Sequence, residues 1–218
     1  MKKMIKFAAA SIIFYQNKDG TRFKRIVAIG LVSLLLGLII PWVVTPGAGT
    51  TMGAQDLAEW MSLHPVVRAE FPGMFSALSL RAAVVWVSIF LALARFPLKT
   101  MLAGSFLLSI ASLPPIEMLQ YPQDANYLQQ VLISLATAVL GLVAFRVVRK
   151  TRAWGAVLTV LATAGAMTVL FGVWRGVALL NGFGLPVNLG GGAVLYGLGA
   201  LVMGISLFLS NRNERQDT

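Results

Sequence analysis

The residues in this chain with chemistry to offer are few, and most gather in one stretch. Asp56, Glu59, His64, Arg68 and Glu70 lie close together in sequence, while Arg81, Glu117 and Arg175 stand near the ends of apolar runs further along. Asp56, Glu59 and His64 are types that ligate divalent metals, and three arginines together suit an anion. Their spacing fits no standard metal pattern. A solvated connecting helix with a few salt bridges to helix ends is the simpler expectation.

Catalytic chemistry is poorly supplied. A general base must sit beside a nucleophile, yet the single histidine adjoins Pro65, and Ser105, Ser109 and Ser134, inside apolar runs, have no basic partner in sequence. The absence of cysteine removes thiolate metal sites and Cys nucleophiles. One histidine cannot supply paired haem ligation. No cofactor is expected, although a pigment, a quinone or a structural lipid would bind without leaving a signature. These residues point away from an enzyme.

The elements that must position them are set by composition. Hydrophobic residues make up 57% of the 218 and charged residues only 12%, against about 25% charged in an average soluble domain. The apolar residues fall in runs near the roughly 20-residue length that spans a bilayer. They predict an all-α, polytopic transmembrane bundle of about six spans: Ile26 to Val44, Leu78 to Ala94, Leu98 to Ile116, Leu128 to Phe145, Ala153 to Trp174 and Leu189 to Leu209. The third is the weakest, because Pro114-Pro115 terminates it, and spans two and three would also suit a re-entrant hairpin. No internal repeat is evident.

Between the first two spans, residues 45–77 form a mixed loop segment, with Thr51 as a candidate cap for a short helix around Ala54 to Leu63. Residues 1–25 read as a basic interfacial amphipathic helix and linker, with Lys2, Lys3 and Lys6 on one helical side and Arg22, Lys24 and Arg25 before the first span. The bulky residues that follow Ala8 to Ala10 argue against signal-peptide cleavage. Residues 210–218 are a polar tail.

Basic residues near spans accumulate in the cytoplasm. With both termini inside, only Arg68, Arg81 and Arg175 of the 18 Lys and Arg residues fall outside. Trp42, Tyr127 and Trp174 then lie at outer ends and Trp154 at an inner one, with Trp86 deeper. The expected location is a bacterial cytoplasmic membrane. The net charge of +10 is explained by anionic lipid headgroups, so nucleic acid is not expected as a partner.

Small residues recur at helical spacing: Ala193, Gly197, Ala200 and Gly204 in the last span, Gly155, Thr159 and Thr163 in the fifth. Such stripes let helices approach closely, either within the protein or against a partner. The leading functional expectation is a non-enzymatic integral subunit that scaffolds or anchors a larger membrane complex, with other integral membrane proteins as partners. A transport component with an outward-facing site covered by the 45–77 loop is the second. An enzyme would need the cluster around Asp56 to bind a metal.

Overall fold

The computed structural model describes residues 23–216 except 48 and 185. Lys2, Lys3, Lys6 and Arg22, and with them the expected interfacial helix, lie outside the described residues. A helix over residues 23–39 (α1) is followed by α2 (Ala54–Leu63), α3 (Pro65–Arg68), α4 (Phe75–Arg81), α5 (Ala83–Leu93), α6 (Leu98–Ala111), α7 (Ala125–Lys150), α8 (Arg152–Gly182) and α9 (Gly191–Gln216). Helices α4 and α5 are continuous through Ala82, whose backbone stays helical. Four helical runs are long and apolar enough to cross a membrane: Phe75–Leu93, Ala125–Lys150, Trp154–Gly182 and Gly191–Ser210. By length and composition the chain is an integral membrane protein.

The ends of the elements have local causes. α7 begins where the Asp124 carboxylate accepts from Asn126 N at 2.8 Å, an N-cap of the usual kind. It closes with Arg149 and Lys150 in its last turn, where cations suit the helix dipole. α6 stops at Ala111, earlier than the expected Ile116. Ser112 caps it and Pro114-Pro115 cannot continue it, so Ile116–Leu119 forms a separate 3-10 turn. Its 14 residues reach about 21 Å, against a hydrocarbon core of about 30 Å.

Two further span ends are corrected. α1 ends before Pro41, and Val43 and Val44 enter a strand instead of the first span. The chain is all-helical apart from one small sheet: β1 (Val43–Thr45) pairs antiparallel with β2 (Thr50–Met52) and β3 (Asn188–Leu189), in the order β2-β1-β3. β-Branched residues flanking Pro46-Gly47 favour the hairpin. α8 continues two turns beyond Trp174 to Gly182.

Contacts place the ends of α1 and α8 and the starts of α4, α7 and α9 together at one end of the bundle. β3 joins β1 there, and Glu70 pairs with Arg175. Residues 45–77 cover this end, which we call the capped end. The extra turns of α8 support that cap, since Gly176 lies against Leu57 and Met61 of α2, and Phe183 packs edge-on to Trp60 at 5.8 Å. The Phe75–Leu93 run is the axle, 83% buried against 39% to 50% for the other three. Tyr196 on α9 reaches it, donating to Ala83 O at 3.1 Å.

Candidate functional site

The expected cluster around Asp56 does not assemble as a ligand set. Asp56 accepts from Gly53 N at 3.1 Å, so it caps α2, and Gly53, not Thr51, is the N-cap residue. His64 accepts from Val66 N at 3.2 Å through Nδ1 and stacks near Trp60 and Phe183. Glu59 and Glu117 are exposed. Among the described residues no three His, Asp or Glu side chains are grouped to hold a metal.

Two ion pairs do join the cap to the bundle. Arg68 meets Asp124 at 3.6 Å, and its Nε donates to Ser62 O at 2.9 Å. Arg175 meets Glu70 at 3.5 Å. Glu70 also accepts from Ser76 N and Ser76 Oγ, both at 2.8 Å. These pairs fasten the loop before α4 to α8 and α3 to the start of α7.

Arg81 behaves differently. Expected near a helix end, where a long side chain reaches water, it is instead 1% exposed. Its two terminal nitrogens donate to the side-chain oxygens of Gln129 and Asn126 on the first turns of α7. Gln129 in turn donates to Gly73 O at 3.0 Å, and Gln130 to Asn126 Oδ1 at 3.4 Å. Among the described residues Arg81 makes no ion pair, and its Nε has no partner. Glu59 acts on it only through longer-range electrostatics. A guanidinium stays protonated, so a full positive charge is held here by neutral amides.

A cavity of about 600 Å³ opens beside this node. Arg68, Gln123, Asp124, Asn126 and Tyr127 line it. Asn126 is therefore the partition between the cavity and Arg81: its oxygen faces the guanidinium, and its nitrogen makes no hydrogen bond among the described residues. No family model, curated protein or solved structure matches this chain.

Deeper in the bundle the polar groups are hydroxyls. Ser88 Oγ donates to Ser105 Oγ at 2.7 Å and lies 2.8 Å from Thr137 O; Ser109 and Ser134 bond across α6 and α7, each to the other's carbonyl at 2.8 Å. These serines tie helices together, and among the described residues their hydrogen-bond partners are hydroxyls, backbone carbonyls and the Met101 sulfur. The stripe on α9 faces its neighbour α8. Ala193 and Ala200 are buried, Gly204 sits against Thr163, and Gly197 approaches Leu170 with room to spare at 3.5 Å. Thr159 and Thr163 return their hydroxyls to their own helix, Thr159 to Gly155 O at 2.7 Å.

Sequence reasoning named Arg81 but missed its partners. Asn126, Gln129 and Gln130 share one helical face by their i, i+3, i+4 spacing, and three amides at the mouth of an apolar helix were the available signal. Trp42 also departs from expectation. It is wholly buried, donating to Gly37 O and packing on Tyr196 at 5.3 Å, and does not lie in a lipid-facing belt. Trp174 and Trp154 are exposed, as headgroup-level residues would be.

Proposed function

We propose that the chain is a six-crossing protein of a bacterial cytoplasmic membrane whose capped end faces outward and carries a solute-binding site of the transport kind. α1 and α6 add two crossings to the four long runs, and the shared capped end of α1, α4, α7, α8 and α9 suits alternating directions. The basic residues clustered at the opposite ends, Lys24, Arg25, Arg146, Arg149 and Lys150 among them, suit a cytoplasmic face on anionic lipid. The observation that carries the functional reading is Arg81, buried and touched by no carboxylate. A charge at the centre of a membrane span costs about 2.5 to 3.5 kcal/mol on insertion scales and less towards its ends, where Arg81 lies in the Phe75–Leu93 run, and enclosed ionisable residues in such runs mark functional paths. Here it stands one side chain away from an open cavity between Leu63 and Arg68 of the 45–77 segment and the start of α7.

A second reading, a non-enzymatic subunit of a larger membrane complex, has an observation of its own. An apolar furrow runs along α8 and α9, with cavities of about 520 and 480 Å³ meeting at Met167 and Gly197 and Gly204 along its floor. Gentle solubilisation with mass spectrometry of what co-migrates separates the readings. Fixed-ratio association with other integral membrane proteins favours the subunit. A lone chain whose unfolding temperature rises with added solute favours the binding component. Orientation is tested by single cysteines in this Cys-free chain: Ala125→Cys should react with an impermeant maleimide from outside and Thr151→Cys only after permeabilisation. The reverse pattern would overturn the topology.

A further inference from the structure

We propose that the cavity beside Arg81 takes an oxyanion, a phosphate or a carboxylate, which supplies the contacting anion that Arg81 lacks among the described residues. This rests on the outward-facing binding reading and names the chemistry of what is bound. Arg68 and Asn126 are donor-bearing residues that line the space, and Arg81 stands behind Asn126 with its Nε unpartnered among the described residues. Guanidinium groups match the planar, paired oxygens of carboxylate and phosphate, which a spherical halide does not offer. Low local dielectric enlarges the benefit, because a buried charge gains more from a counter-ion than an exposed one.

The one acid lining the cavity is Asp124, and it is spoken for. It pairs with Arg68 at 3.6 Å and caps α7 through Asn126 N. An entering oxyanion therefore competes with Asp124 for Arg68, a half-exposed pair worth little by itself. Rotation of Asn126 then joins the ligand to Arg81. The same oxyanion chemistry is offered by a free solute and by a lipid headgroup, and the two differ in whether the protein responds in neutral bilayers.

The test uses the full chain in phosphatidylcholine nanodiscs, with unfolding followed by tryptophan fluorescence at fixed ionic strength. Replacing chloride by inorganic phosphate or succinate should raise the unfolding temperature of the wild type in a saturable manner. In Arg81→Gln the apparent affinity should fall about tenfold or more. Should Arg81→Gln fail to fold, Asn126→Asp serves, since a built-in carboxylate beside Arg81 should abolish the response. A response to phosphatidylglycerol in the disc, without one to soluble oxyanions, supports the headgroup as source. An undiminished response in both variants would overturn the site. Stabilisation of the wild type by neutral polar solutes alone would leave an outward-facing site standing and remove the oxyanion. No response to any solute or to phosphatidylglycerol would remove both.

Discussion

Towards α6 and α7 the central run is held by hydrogen bonds, and towards α1, α8 and α9 the bundle is held by missing side chains. On the first side Ser88 reaches Ser105 and Thr137 O, and Arg81 reaches Asn126 and Gln129. On the second, a Cβ on Gly37 would come within 2.7 Å of Tyr196 N, and one on Gly199 within 2.8 Å of Leu34 N. Lipid gives helices no hydrophobic reason to associate, so each side leans on one of the two remaining devices, polar bonds or close backbone approach, with the Tyr196 hydroxyl on Ala83 O as a polar bond on the second side. They fail differently. A serine lost in a membrane costs little, because the unfolded chain also finds partners, whereas a side chain forced between two backbones has nowhere to go.

That contrast is tested most severely at Gly37. Gly37→Leu should separate α1 from α9 and cost roughly 3 kcal/mol, the upper end for overpacked sites, read by unfolding in mixed micelles. A cost below that of Ser88→Ala would break the comparison.

Gly141 crosses the two regimes, for it is a glycine on the hydroxyl side whose added Cβ would strike Ser88 Oγ. Gly141→Ala should cost about 1 to 3 kcal/mol. In the double variant with Ser88→Ala, part of that loss should return, since the obstructing hydroxyl is gone. Strict additivity would show that the two residues do not meet.

Ser88→Ala alone should cost about 0.6 kcal/mol, the average measured for hydrogen bonds between membrane helices. The smallest effect is expected at Gly197, where the nearest atom to an added Cβ is Leu170 Cδ1 at 3.5 Å. Gly197→Ala should stay within about 0.5 kcal/mol of wild type. Gly204→Ala, about two turns along the same stripe, should destabilise because it meets Thr163. Equal behaviour of the two glycines in a thermal scan would show that the stripe does not contact α8 as described.

Sequence periodicity revealed the long runs because bilayer length and apolar composition are nearly sufficient to define them. It revealed their ends less well. α8 outlasts its apolar stretch because Gly176 and Phe183 pack on the cap, a tertiary contact that hydropathy does not carry. The small sheet was missed because Val43 and Val44 extend an apolar run that reads equally as helix. At the site, Arg68 and Glu70 were legible as charges of the 45–77 segment and Arg175 as one near a span end, though their pairings depend on the fold. Arg81 read as another charge near the end of an apolar run. Only the neighbouring amides of α7 show that it is enclosed.

The account turns on whether the charge on Arg81 lacks a contacting counter-ion at the capped end. Asn126→Asp changes one amide into a carboxylate at the position that already accepts from Arg81, with almost no change in shape. Its unfolding temperature, measured against wild type in nanodiscs of neutral lipid with chloride as the sole anion, should rise by several degrees, the scale of about 1 kcal/mol in a domain of this size. An unchanged or lower unfolding temperature would show that the guanidinium is already satisfied, and would contradict the reading of this end as a site that waits for an anion.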